Sequence, residues 1–336
     1  MKNTVKKVLV ASILCSILVT SLTSCSGAKK ETTDTSKKFE FKLAHSANEE
    51  NTWHLASVKY AEIVKEKSKG RIEIKVFPNE QLGKETDVIT GIQSGTIDMT
   101  ITGESLQNWA PKAAMVATPY AITSSEKMAK VANGEIGKEI EKQIIEKTKL
   151  RPLTWFERGP RYLTSNRPIK TPDDLKGLIV RVPNVPLFVK TWEALGAKPT
   201  PMAFSEVFTS LQQKTIQAQE NPLALIDSAS LFEVQKYVNK TEHVRSWIYV
   251  VIGDKQYQAL PDDLKKVMDE AGKEAQAYEH KLFLEQENKL VTKLKDKGMQ
   301  FVDVDNVAFE KKAKAAVLSV LTAEQKEIYN KISTIK

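Results

Sequence analysis

Cysteine is nearly absent from this chain: its 336 residues include only Cys15 and Cys25. No internal disulfide can form beyond residue 25, so the folded body depends on an apolar core. Histidine is scarce as well. His45, His54, His243 and His280 form no pair at helical or finger spacing, so neither a metal site nor a cofactor is expected. Phosphate-loop, Gly-x-Gly-x-x-Gly and Gly-x-Ser-x-Gly patterns are all missing, which removes the usual marks of nucleotide binding and serine-hydrolase chemistry. No lysine/arginine stripe interleaved with aromatics is present, and nucleic acid is not an expected partner. Asp173-Asp174 and Asp262-Asp263 are adjacent carboxylates, but each pair follows a proline at a helix start. The helix dipole favours acids there, so they read as first-turn residues rather than a catalytic pair.

What is present begins with a leader. Lys2, Lys6 and Lys7 precede an apolar run from Val8 to Val19, too short for a confident membrane span and shaped like a signal-peptide core. It leads to Leu22-Thr23-Ser24-Cys25, which looks like a lipoprotein processing box with Cys25 as the lipidated residue. The alternative is an ordinary secretory cleavage region with a chance cysteine. Residues 1–24 read as the lipoprotein signal peptide and 25–38 as a flexible, polar tether. The chain carries a formal +8; without its first 24 residues, which hold three lysines and no acid, it carries +5, mildly basic. The expected location is exported and lipid-anchored, in the periplasm or on the outer face of the cytoplasmic membrane.

The body alternates strands and helices. Phe39–Leu43 alternates as a strand, and Trp53–Lys67 is helical in period with Gly70 able to terminate it. Arg71–Phe77 is a second strand ending at Pro78. Glu85–Gln93 is helical with Gly95 at its C-terminal cap, and Thr96–Thr102 follows as a third strand. Such alternation predicts a largely parallel sheet covered by helices, and the length suits two lobes. The segment 89–98 is echoed by 208–217, each a helix end turning into a strand. Glu104 lies beyond the first and Asn221 beyond the second, so two similar lobes could aim both at one crevice; convergent helix-to-strand grammar explains the echo equally well. Further on, Thr171 caps a short helix with Pro172 at its first position. His243–Ile252 reads as a strand and Pro261 to about Lys297 as a long amphipathic helix. Gln300–Val304 reads as a strand and Asn306–Ile332 as mostly helical.

The organising stretch is Gly177–Pro222. Its β-branched run Leu178-Ile179-Val180-Arg181-Val182 is stopped by Pro183, which lacks an amide hydrogen. Arg181 therefore lies at the carboxyl end of a strand, the end that faces the ligand crevice in open α/β sheets. Its planar fork matches a carboxylate or phosphate. By residue type alone, a structural ion pair at the sheet edge is the competing reading.

This stretch, with Arg181-Val182-Pro183-Asn184, Leu195-Gly196-Ala197-Lys198-Pro199-Thr200-Pro201-Met202, Phe204-Ser205-Glu206-Val207 and Gln219-Glu220-Asn221-Pro222, resembles the DctP-type solute-binding proteins of TRAP (tripartite ATP-independent periplasmic) transporters. The resemblance runs weakly over nearly all the chain after residue 38. It implies an α/β, two-lobe periplasmic-binding-protein-like fold with a ligand cleft between the lobes and a long helix along both. Lobe I would comprise 39–158 plus 247–286, and lobe II 159–246 plus 287–336. It implies no enzyme activity but capture of a carboxylate-bearing solute for an ion-gradient-driven membrane permease, with the binding protein a monomer. Arg181 would grip the ligand carboxylate, Arg161 would add charge, and Asn221 and Asn184 would orient the ligand. Glu104 would accept bonds from hydroxyls or an amine, and Phe204 would pack on the ligand. Ser46 and Glu85 complete the candidate set; Arg158 and Arg167 lie close enough to Arg161 to compete for its assignment.

Gly103-Glu104-Ser105 with Arg161, Arg181 and Phe204 looks most like the sialic-acid-binding branch. That branch has an arginine where this chain has Leu106-Gln107 and an asparagine where it has Ser46. The family pattern also has Asp-Gly where this chain has Gln217-Ala218. Sialic acid or a uronate is the expected ligand, because a carboxylate at Glu104 would repel a dianion. The alternatives are a C4-dicarboxylate or oxo-acid binder of the same family, a sensory subunit docking to a receptor, and an extracytoplasmic carbohydrate-active enzyme. The last lacks a second convincing carboxylate near Glu104.

Overall fold

The computed structural model describes residues 37–335. The apolar run Val8–Val19, Cys25 and the tether up to residue 36 lie outside the described residues. Ten strands make one mixed sheet: β1 (Phe39–Ala44), β2 (Ile72–Phe77), β3 (Met99–Thr102), β4 (Leu150–Ser165), β5 (Ile179–Val182), β6 (Lys198–Pro201), β7 (Ala218–Pro222), β8 (Tyr237–Asn239), β9 (Arg245–Gly253) and β10 (Gln300–Val302). The helices are α1 (Thr52–Lys67), α2 (Glu85–Ser94), α3 (Ser125–Asn133), α4 (Glu135–Thr148), α5 (Pro186–Leu195), α6 (Val207–Gln212), α7 (Leu223–Ser228), α8 (Asp254–Gln258), α9 (Asp262–Asp296), α10 (Asn306–Val320) and α11 (Ala323–Thr334).

The strand order is β2-β1-β3-β9-β4-β7-β5-β6, with β8 against β4 and β10 beyond it. Read from either edge, the pattern is the same: three parallel strands, then one antiparallel strand. The two halves meet where β9 and β4 pair along their length. Edge strand β6 carries Pro199 and Pro201, tolerable because it pairs on one side only.

The echo between 89–98 and 208–217 is built into this symmetry. At the end of α2, Gly91 O accepts the Thr96 amide at 2.9 Å and the Thr96 hydroxyl at 3.2 Å. After α6, Ser210 O accepts the Thr215 amide at 3.0 Å and the Thr215 hydroxyl at 3.1 Å. Gly95 and Lys214 hold matching left-handed positions, φ +85° and +61°. Asp98 Oδ2 accepts the Lys42 amide of β1 at 2.9 Å, and Gln217 Oε1 accepts the Ile179 amide of β5 at 3.0 Å. Gln217 thus ties its strand to the neighbour as Asp98 does, and the turn survives without the family's Asp-Gly.

The strand β4 is longer than its sequence suggests. Its hydrophobic alternation is broken by Pro152 and by Gly159-Pro160, and the structure shifts register at both places, between Pro152 and Thr154 and between Glu157 and Pro160. Helices α3 and α4, which the sequence reading left unassigned, pack Met128, Val131, Ile140 and Ile144 into the largest apolar cluster. The long helix expected after Pro261 is α9. Its first half buries Leu264, Met268, Ala271 and Ala275 in a cluster with α1, and its second half buries Leu290 and Leu294 in another with α6 and α7. Gly272 lets α9 approach β4 closely, since a Cβ there would sit 2.9 Å from Leu153 O. The acid pairs behave as first-turn residues: Asp174 closes a capping box with Thr171, and Asp262 and Asp263 open α9. Among the described residues no helix is long and apolar enough to cross a membrane.

Candidate functional site: a cleft with three arginines

The carboxyl ends of β1, β3, β5 and β7 and the middle of β4 converge on one cleft. Its outer part is a cavity of about 390 Å³ bordered by Ser46, Glu80, Glu85, Arg181, Asn184 and Phe204 among others. A smaller recess of about 50 Å³ lies deeper, with Trp53, Glu104, Arg158, Arg161, Asn221 and Ile248 in its wall. All eight sequence-chosen ligand residues line one or both parts. A larger hollow of about 690 Å³ lies along the end of α9, but its wall is one helix, Asn288 to Lys297, without converging buried groups.

Three arginines are buried here, each against an aromatic ring. The guanidinium carbons lie 5.3 Å from Trp53 for Arg158, 5.3 Å from Phe188 for Arg161 and 5.9 Å from Phe204 for Arg181. Two are matched by carboxylates. Arg158 Nη1 donates to Glu104 Oε2. Arg161 is held by both oxygens of Glu220 at 2.5 and 2.8 Å, by Glu220 O at 2.9 Å and by Asn221 Oδ1 at 3.1 Å. His243 Nε2 lies 2.9 Å from the same Glu220. Burial pushes the Glu220 carboxyl up, but Arg161 and the His243 hydrogen bond outweigh it and leave it at about 2. Burial likewise raises Glu104, and Arg158 with Arg161 bring it below the usual carboxylate range.

Arg181 is different. Its Nε and Nη2 donate to Met202 O at 3.1 and 2.7 Å, and no carboxylate among the described residues pairs with it. It is 3 % exposed. Burial pulls its pKa down to about 10, and Arg161 adds to the fall, while Glu220, Glu80 and Glu85 act in the other direction.

Arg161 sits in a strand at 1 % exposure, not in a solvated loop. Arg158 also reaches the cleft, and sequence alternation hid it, because residues three apart on a regular strand face opposite sides. The register shift at Gly159, whose φ is +69°, turns both arginines toward Glu104. Arg167 points elsewhere and donates to Asp174 O. Glu220 and His243 were missed as functional; Glu220 stood inside the quoted motif, one residue before Asn221, but nothing local marked it as Arg161's partner. Glu104 has its carboxylate engaged by Arg158 and Arg161, so its charge is matched within the protein. Glu85 accepts from the Thr102 and Ser105 hydroxyls at 2.6 and 3.0 Å, and burial raises its pKa. Asn184 O accepts from Asn108 Nδ2 at 2.9 Å across the cleft mouth.

Nine residues apart in sequence, His45 and His54 meet in space, Nε2 to Nδ1 at 3.1 Å. No group of three metal-ligating side chains occurs among the described residues.

A cleft between two like lobes, floored by a buried and unmatched arginine, defines a binding protein for a small anion. The chain belongs to the DctP family of bacterial extracellular solute-binding proteins, family 7, whose model matches residues 43–327. It is a TRAP solute-binding protein, extracytoplasmic and not an enzyme. A solute-binding protein of Roseobacter denitrificans is 55% identical over 305 residues, 91% of this chain and 94% of that one. The crystal structure of a TRAP periplasmic solute-binding protein from that organism, with bound L-galactonate, superposes with a TM-score of 0.87 at 56% identity, covering 88% of this chain and 99% of the other. The 2,3-diketo-L-gulonate-binding periplasmic protein of Escherichia coli is 32% identical over 80% of this chain and 82% of its own length. The sialic acid-binding periplasmic protein of Vibrio cholerae is 31% identical over 71% and 75%. The chain is thus more similar to the Roseobacter protein than to that sialic-acid binder.

Proposed function

We propose that the cleft captures a monocarboxylate sugar acid of the aldonate type, such as L-galactonate, and delivers it to the membrane permease of a TRAP transporter. The observation that carries this reading is Arg181, buried, stacked on Phe204 and in contact with no carboxylate among the described residues. A buried cation without a direct carboxylate contact is costly, and a ligand carboxylate supplies that contact. Arg158 and Arg161 already hold carboxylates, so Arg181 is the arginine of the cleft left to take an anionic group. Asn221 and Asn184 orient the ligand, Ser46 and Glu85 meet its hydroxyls, and Phe204 packs on its carbon chain. The bound L-galactonate of the Roseobacter protein supports this class over sialic acid.

The lobes are assigned as 39–158 plus 247–286 and 159–246 plus 287–336. Cys25 is the proposed lipid attachment site, holding a monomeric binding protein at the membrane. Isothermal titration with L-galactonate, D-galacturonate, N-acetylneuraminate and succinate tests the ligand class. Micromolar or tighter binding of L-galactonate is expected, with succinate weak or silent. Preference for succinate, or silence toward every sugar acid, overturns the reading. Intact mass of the membrane-extracted protein tests the anchor: no lipid mass on the N-terminus refutes it.

A further inference from the structure

Four glutamates border the outer cavity or its inner recess: Glu80, Glu85, Glu104 and Glu206. Three are engaged within the protein. Glu85 takes the hydroxyls of Thr102 and Ser105, Glu104 takes Arg158 and Arg161, and Glu206 takes Lys84. Glu80 has no hydrogen bond or ion pair through its side chain among the described residues, and its Oε2 is shielded from solvent.

Its backbone is equally unusual. Asn79 and Glu80 are consecutive left-handed residues, φ +55° and +54°. Asparagine tolerates that region, but glutamate rarely adopts it. The turn is clamped to the loop after β1, the Asn79 amide on Ala47 O and the Glu80 amide on His45 O, both at 3.0 Å. Strain of this kind persists where surrounding structure holds it, and it concentrates at functional positions. Its effect here is to hold a carboxylate without a hydrogen-bond partner in the wall of the cavity that also holds Arg181, whose charge it favours.

We propose that Glu80 is the specificity-determining residue for the far end of the ligand, accepting hydrogen bonds from its hydroxyls and excluding a second carboxylate. The inference rests on the sugar-acid reading above. Once the ligand's carboxylate neutralises Arg181 and Glu206 holds Lys84, the charges left facing the ligand tail are Glu80 and Glu85. A polyol tail donates to them. A carboxylate in the same place meets two like charges and has no free cation to meet it.

The test compares L-galactonate with galactarate, the same six-carbon chain with a carboxylate at both ends. Calorimetry would be run on the wild type, Glu80→Gln and Glu80→Gly, with melting temperatures of the ligand-free proteins. The wild type should prefer galactonate by about a hundredfold or more. Glu80→Gln should lose about tenfold in galactonate affinity and shrink the preference by about tenfold. Glu80→Gly should lose affinity while its ligand-free melting temperature stays or rises, because glycine relaxes the left-handed turn. An unchanged preference in both variants overturns the role of Glu80. So does a fall in ligand-free stability that accounts for the affinity loss, which would make Glu80 a scaffold residue. A wild type that binds neither acid overturns the sugar-acid reading itself.

Discussion

Arg161 and Glu220 are diagonal partners on the antiparallel strands β4 and β7, joined by two side-chain hydrogen bonds of 2.5 and 2.8 Å and almost sealed from solvent. His243 completes the group and is itself held by Thr241 at 2.9 Å. Removing one member of a buried pair strands the other's charge. Glu220→Gln should therefore cost about 3–5 kcal/mol of stability in urea unfolding. The folded pKa of about 2 lies below the unfolded carboxyl value, so this stability is present above about pH 4.5 and is lost as pH falls toward 2. The variant should show a flatter acid limb; an unchanged urea midpoint would show that the pair contributes nothing.

Arg181 should respond in the opposite sense. No carboxylate among the described residues pairs with it, so Arg181→Ala should leave ligand-free stability unchanged or raise it. Binding should weaken by about 2–5 kcal/mol, the cost of removing one half of a desolvated charge pair. Arg181→Lys should also bind poorly, since a point charge does not reproduce the fork. Near-normal sugar-acid affinity in either variant, with the fold intact, would remove Arg181 from its assigned role.

Lys84, at the start of α2, and Glu206, in the short helical turn after β6, form an ion pair across the mouth of the cleft. The pair joins the two halves of the molecule and should slow ligand escape. Lys84→Ala should raise the ligand dissociation rate about threefold at low salt, with the difference from wild type vanishing near 1 M salt. The exchanged pair, Lys84→Glu with Glu206→Lys, should restore slow release. Stopped-flow dissociation that is identical in wild type and Lys84→Ala at low salt would exclude a latch.

Glu279 of α9 accepts the Glu157 amide at 3.0 Å, and burial pushes its pKa up to about 8. A carboxyl with a raised folded pKa contributes stability that is complete below the unfolded value, about 4.5, and lost as pH rises through 8. Glu279→Gln keeps the acceptor without the charge. Its stability should fall less steeply than the wild type's between pH 5 and 9, the remaining slope coming from Glu141 and Glu287, which burial raises to about 7; parallel pH profiles for the two proteins would refute this.

Much of the fold was legible because its strands and helices obey local rules. The ends of β2 at Pro78 and of β5 at Pro183, and the glycine cap of α2, follow from residue chemistry alone. So did the placement of Arg181, since a strand stopped by proline has a definite carboxyl end. What was hidden depends on long-range register. Arg158 joins Arg161 on one side only because β4 slips at Gly159. Glu220 becomes a counter-ion only because β7 lies beside β4, and no spacing within either strand reveals that. Glu80 escaped notice because nothing in Pro78-Asn79-Glu80-Gln81 announces a left-handed glutamate.

The mirrored strand order has a consequence for the order of assembly. The sheet β6-β5-β7-β4 is complete once residue 222 has been made. The half that begins the folded body waits longer, because β9, Arg245–Gly253, must arrive between β3 and β4 before it closes. Of the two four-strand runs, the one started first is therefore completed second. A chain halted near residue 240 would leave Met99–Thr102 as an open edge of wholly buried-type residues, a template for pairing with another unfinished copy.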